Sequence, residues 1–356
     1  MVNRTHAPFT HLGVSLRFQD WYSGLAPIFD NTSTQTCSES LATYMAEPWK
    51  DTTCDAHLDC MLSNLTESMK VKIATAAVFL GILPSLLSMS GPCLTHLTLL
   101  SARRPILALC IAAANPGYYV DRLFTIESPA ETFEQYGNSR FVPRLKSPRW
   151  AILFSVLEYL LLGASIFNVW TLSLRIGDRV ILSFQCRIWY LPLIWMISFI
   201  AIFLCVAVPF QFSRTAKHMR ACDSKWTDSG RRQLIEDEGG VRWVGDRGDW
   251  EGDKSSNHLT RFLAREFTPG ARQASLDTSR IPHYERWMAI CLNVGYLLTS
   301  LHIIVGTCWF SSILFLSPKD AMFIILRYFA SSVGCRLIMA IELSGLKARE
   351  DKHLSK

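Results

Sequence analysis

The chain has 356 residues, 49% of them hydrophobic, with a positive mean hydropathy and a formal charge of +6. Its apolar residues come in long blocks rather than at helix or strand period, which excludes an ordinary two- or three-domain soluble enzyme. No Lys/Arg run interleaves with aromatics, so the basic balance points to membrane-flanking loops and the lipid bilayer, and nucleic acid is not expected as a partner.

Residues 1–72 are polar and turn-rich and read as a loop-rich extracellular region. Arg4, His6, His11, Arg17 and Asp20 leave no room for a signal-peptide core, so the first span is expected to translocate this segment. Asn3, Asn31 and Asn64 sit in glycosylation sequons, whereas none of the other five asparagines does. Cys37, Cys54 and Cys60 cluster in the same segment, as suits an oxidising exterior. At least one disulfide is expected among them, with the third thiol free or paired between chains.

A span needs about 20 apolar residues at 1.5 Å rise each. The first is predicted at 73–90, closed by Gly91-Pro92, with a small-residue stripe (Ala74, Ala77, Gly81, Ser85, Ser88) that would let another helix approach. Residues 93–118 carry Arg103-Arg104-Pro105 between two short apolar runs. A straight span there would bury two arginines at about 2.5–3.5 kcal/mol each. Residues 105–114 therefore read as an interfacial or re-entrant helix with Pro105 at its first position, ended by Asn115-Pro116-Gly117. After a polar loop, spans follow at 150–174, with Trp150 and Trp170 as an aromatic belt, and at 188–210. A long charged loop, 211–285, separates these from spans at 287–310 and 321–343, and residues 344–356 form a basic tail. The fold class is an all-α membrane protein, a bundle of about five transmembrane helices.

Five spans with the N-terminus outside put 7, 13 and 4 Lys/Arg in 91–149, 211–285 and the tail, against 3 and 1 in 174–187 and 317–320. This agrees with the positive-inside rule, although Lys70 and Lys72 run against it. Cys110, Cys205, Cys291, Cys308 and Cys335 lie in apolar blocks as small hydrophobes.

No HExxH, GxSxG, CxxC or histidine cluster is present, and the Gly248–Ser255 stretch has the wrong spacing for a phosphate loop. No catalytic residue, metal or cofactor is expected. The costly intramembrane residues are Glu158, Arg327, Arg336, His302 and, nearer a span end, Glu342. Matching depth on antiparallel helices predicts that Glu158 pairs with Arg336, while Arg327 snorkels outward or meets His302. Leu259, Phe262, Leu263 and Phe267 fall on one helical face, which predicts an amphipathic interfacial helix over 258–268.

The run from Cys60 to Lys70, the Ala/Gly-rich first span and Arg103-Arg104-Pro105 resemble a family of uncharacterised multi-pass membrane proteins of filamentous fungi. The resemblance covers mainly residues 54–120. It implies the architecture and brings no activity, cofactor or site. The expected function is that of a non-enzymatic sensor, adaptor or partner-binding protein that meets other membrane proteins. The alternatives are a small transporter or channel using Glu158, Arg327 and Arg336, and a membrane-embedded enzyme.

Overall fold

The computed structural model describes residues 17–101, 103–120, 148–186, 188–232, 266, 267, 269 and 286–354. Among these, five helices are long and apolar enough to cross a membrane: Glu67–Ser90, Arg149–Arg179, Leu191–Phe212, Ile290–Ser311 and Pro318–Leu343. Their unpaired faces carry large apolar side chains, such as Leu153, Leu160 and Phe167 on the second and Leu301 and Ile304 on the fourth. Such faces suit a lipid bilayer.

At one end of the bundle sits a cap, and here the expected loops are replaced by helices: α1 (Ala26–Asn31), a wide turn at Thr32–Thr36, α2 (Ser38–Ala46) and α3 (Asp51–Asn64). Polar composition hid them because helices this short are marginal alone and are held by tertiary packing. Phe18, Trp21, Phe29, Tyr44, His57 and Phe315 supply that packing through mostly edge-on or tilted ring contacts. Two disulfides staple the cap. Cys37 pairs with Cys60, and Cys54 pairs with Cys186. The third cysteine is thus neither free nor intermolecular, because a fourth thiol reaches it from 132 residues away.

The helix α4 (Glu67–Ser90) descends from the cap beside α9 (Arg286–Ser311), running the opposite way. A Cβ on Gly81 would touch Ser311 at 3.0 Å, and Pro84 lies against Gly306. The small-residue stripe makes contact only in part: Gly81 and Ser88 are buried, Ala74 and Ser85 are exposed, and Ala76, Leu80, Leu83 and Leu87 are the fully buried positions. The predicted span 73–90 lies within α4, one of the five candidate spans. Ser90 Oγ meets Ser332 Oγ at 3.1 Å, 14 residues into α10 (Pro318–Leu354) and so about 21 Å from that helix's start. The chain breaks at Gly91-Pro92-Cys93 and continues as α5 (Leu94–Ser101), all of it buried. Leu94 lies by Gly295 of α9, and the carbonyl of Ser101 accepts a 2.7 Å hydrogen bond from Gln211 of α8 (Leu191–Arg232). The helix α5 thus continues from α4 after the break at Gly91-Pro92-Cys93.

From Arg103-Arg104 at the far end, α6 (Pro105–Ala114) returns only to mid-depth. One face of it is enclosed, at Leu107, Ala108, Ile111, Ala112 and Ala114, while Ile106 and Leu109 are exposed. The helix α7 (Pro148–Arg179) packs on α6 and runs antiparallel to α10. At the cap end, β1 (Ile181–Leu182) pairs with β2 (Ile313–Leu314), joining the loops after α7 and α9. Two helices outrun their apolar stretches, α8 to Arg232 and α10 to Leu354, where a loop and a tail were expected.

Candidate functional site

Two backbone breaks meet at the centre of the bundle. Residues 91–93 cross residues 115–119 so closely that a Cβ on Gly91 would lie 2.0 Å from the Gly117 carbonyl oxygen, and one on Gly117 would overlap Leu87. Only glycine allows that approach. Unpaired backbone is expensive at membrane depth, and each break satisfies the other. Tyr119 N donates to Pro92 O at 3.0 Å, and Ser88 Oγ donates to Tyr118 O at 2.8 Å. Ser332 Oγ donates to Asn115 Oδ1 at 2.9 Å, while the Asn115 amide donates to the Gly117 carbonyl. Tyr118 Oη donates to Phe199 O at 3.0 Å.

At the hairpin tip lies a buried ion cluster. Arg104 Nη1 contacts Glu158 Oε2 at 2.8 Å and Glu342 Oε1 at 3.0 Å, and Arg104 Nη2 donates to Ser155 Oγ at 2.7 Å. The three side chains are 0%, 3% and 1% exposed. The guanidinium also lies 5.6 Å from the Tyr159 ring centroid. The buried carboxylate of Glu266 accepts from Tyr159 Oη at 2.7 Å and from the backbone N–H of Leu107 at 2.9 Å, capping the first turn of α6.

The expected Glu158–Arg336 pair is not formed. Arg336 donates to Met89 O at 2.9 Å and lies 5.8 Å from the ring centroid of Tyr119. Nor does Arg327 meet His302. Arg327 Nε donates to Asn168 Oδ1 at 2.8 Å, and His302 Nδ1 lies 3.0 Å from Ser198 Oγ with its ring stacked on Trp195. For Arg336 the difference is one of azimuth: at 100° per residue, Arg336 and Glu342 face directions about 120° apart on one helix.

The remaining candidates lie in or beside the cap. Asn31 is exposed at the end of α1. Asn64 uses its amide to donate to Cys60 O at 2.8 Å, against the Cys37–Cys60 bridge. Asn3, Leu259, Phe262 and Leu263 lie outside the described residues, as does most of the predicted helix 258–268. Phe267 of that segment tilts against Tyr159 at 5.6 Å. In the cap, His57 is wholly buried between Ser33 Oγ, 3.0 Å from Nε2, and Ser40 Oγ, 2.8 Å from Nδ1, and burial pushes its pKa down to about 4. Among the described residues no group of three or more His, Cys, Asp or Glu is arranged to hold a metal.

Sequence reading missed Ser155, Asn168 and Glu266. Asn168 was open to detection as a lone amide in an apolar block; Glu266 was not, since its contacts lie 107 and 159 residues away. Comparison with known protein families, with curated proteins and with solved structures finds no match to this chain.

Proposed function

We propose that this chain is a non-enzymatic sensor or partner-binding protein of a plasma or secretory-pathway membrane, with the cap outside, the C-terminus cytosolic and the cap as its binding face. The observation that carries the reading is the Cys54–Cys186 bridge, which joins the N-terminal region to the loop after α7 and so fixes a presenting surface to the bundle. Disulfides persist in oxidising compartments, and the sequons Asn31 and Asn64 lie in the same cap, which supports its exterior location. The basic residues of 211–285 and of the tail then lie in the cytosol. Against catalysis stands the use of the charged groups: Arg104, Glu158 and Glu342 are spent on one another in a buried interface.

A second reading, a small transporter, is favoured by the crossing of two broken segments at mid-depth, where transporters place their sites. One pair of measurements separates them. In the first reading Glu158→Gln lowers the melting temperature, and proteoliposomes of the wild type leave proton and ion gradients intact. Gradient dissipation by the wild type, altered by Glu158→Gln at unchanged stability, would replace the first reading with the second. Topology is tested by endoglycosidase, which should shift the mass of the expressed protein; loss of the shift in Asn31→Gln would locate the glycan. A cap reached by impermeant reagents only from the cytosol would overturn the orientation.

A further inference from the structure

We propose that the cap end of the groove between α7 and α10 is a binding site for the phosphate of a membrane lipid headgroup, formed by Arg175, Arg327 and the hydroxyl of Tyr22. Three observations converge there. Arg327 is half-exposed on the lipid side of the bundle, and its hydrogen bonds go to a neutral amide, Asn168, with the Phe323 ring 5.7 Å away. A cation at this depth, about 13 Å along α10 from Pro318, is costly unless an anion or water reaches it. Arg175 is exposed on α7, seven residues beyond Asn168 and therefore on the same face. The Tyr22 hydroxyl is buried without a hydrogen-bond partner, and it feels the charges of Arg175, Arg179 and Arg327 at once.

Two further charged groups act on the same hydroxyl, and each has a partner of its own. Arg179, 5.7 Å from the Tyr22 ring centroid, is neutralised by Asp20 at 2.8 Å. Asp320 also acts on Tyr22, but its Oδ2 accepts from Gly24 N at 3.1 Å and from Ser317 Oγ at 2.7 Å. Of the charges that act on Tyr22 besides the Arg179–Asp20 pair, Arg175 and Arg327 are positive and Asp320 is negative. A phosphodiester supplies one negative charge and several acceptor oxygens, which suits two guanidinium groups and a hydroxyl. Leu174, Phe167, Phe323 and Leu326 stand exposed beside the arginines, so an acyl chain has apolar surface to follow. The site does not depend on which side of the membrane the cap faces.

The test uses the full chain in detergent, analysed by native mass spectrometry and thermal unfolding with dioleoylphosphatidylglycerol, with dioleoylglycerol, or with inorganic phosphate. Phosphatidylglycerol should be retained at one copy and raise the melting temperature, while the other two should not. Arg175→Gln and Arg327→Gln should each weaken retention about tenfold, the loss of one charge-assisted contact. Tyr22→Phe, which removes only the hydroxyl, checks the site should the arginine variants fold poorly. Equal stabilisation by dioleoylglycerol, or retention unchanged in all three variants, would overturn the proposal. Stabilisation by inorganic phosphate alone would replace the lipid with a free anion. A lipid-free dimer abolished by Arg327→Gln would assign the counter-charge to a second chain and equally overturn it.

Discussion

Replacing Arg104 with methionine would strip the cation from between Glu158 and Glu342 while keeping most of the side-chain volume. Both carboxylates sit within 3.0 Å of the same guanidinium nitrogen and are almost fully buried, so the variant must protonate them or leave two like charges in a buried interface. Breaking a buried ion pair from one side costs about 3–5 kcal/mol. At about 2–4 °C per kcal/mol for a folded unit of 150–250 residues, the apparent melting temperature should fall by roughly 6–20 °C. Glu158→Gln should be milder, at about 1–2 kcal/mol, because the amide still accepts and Glu342 still balances the arginine. The triple replacement of Arg104, Glu158 and Glu342 by methionine should recover much of the loss, since no charge is then stranded. The assay is thermal unfolding in one detergent at one scan rate, followed by tryptophan fluorescence. The reasoning fails if Arg104→Met melts within about 2 °C of the wild type, or if Glu158→Gln is as damaging.

Peptide mapping after alkylation without reductant should show Cys37, Cys54, Cys60 and Cys186 unmodified and the six free cysteines of the described residues modified. Modification of any of the four would refute its bridge. Cys186→Ala should destabilise the cap by about 2–5 kcal/mol, read as faster proteolysis within residues 17–66. Burial holds the His57 pKa near 4, below its unfolded value of 6.5, so the unfolded cap takes up a proton first as pH falls. Cap stability should therefore be complete above pH 6.5, decline between 6.5 and about 4, and level off below, losing on the order of 3 kcal/mol. A His57→Gln variant should lack that decline; an unchanged pH dependence would remove His57 as its cause. Gly117→Ala places a methyl against the Leu87 backbone and should cost about 1–3 kcal/mol or more, since backbone cannot rotate away. The same change at Gly163, where no atom lies within 4 Å, should be neutral or stabilising.

The positions of the long helices were legible because lipid imposes a one-dimensional rule, about 20 apolar residues per crossing. The breaks were legible too, as Gly91-Pro92 and Asn115-Pro116-Gly117. What they meant was not. The cost of burying Arg104 is offset by partners that lie 54 and 238 residues away, which local sequence does not show. The Glu158–Arg336 pairing failed on a different coordinate. Rise per residue fixes depth, but helix rotation decides which neighbour a side chain meets, and rotation comes from packing. Glu158 and Glu342 turn toward the α5–α6 tip, whereas Arg336 turns toward the end of α4. Cap helices escaped for a third reason: their stability comes from ring contacts and from bridges whose ends are 23 and 132 residues apart, neither of which local composition carries.

These contacts make the α4–α5–α6 stretch one mechanical unit. Its upper end joins α3 of the cap after two residues, Leu65 and Thr66, and α3 carries both disulfides. Its lower end is the Arg104 cluster, which ties it to α7 and α10. Between these anchors the helix axis is interrupted at Gly91-Pro92-Cys93, where hydrogen bonds to Tyr118 and Tyr119 replace those a continuous helix would make. A straight helix resists bending along its whole length, whereas a broken one concentrates any bend at the break. Displacement of the cap would therefore be expressed first at the 91–93 and 115–119 crossing. The glycines there allow no closer approach, so the segments can only slide or separate. Within the sensing reading, that crossing is the element through which an event at the cap would reach the far end of the bundle.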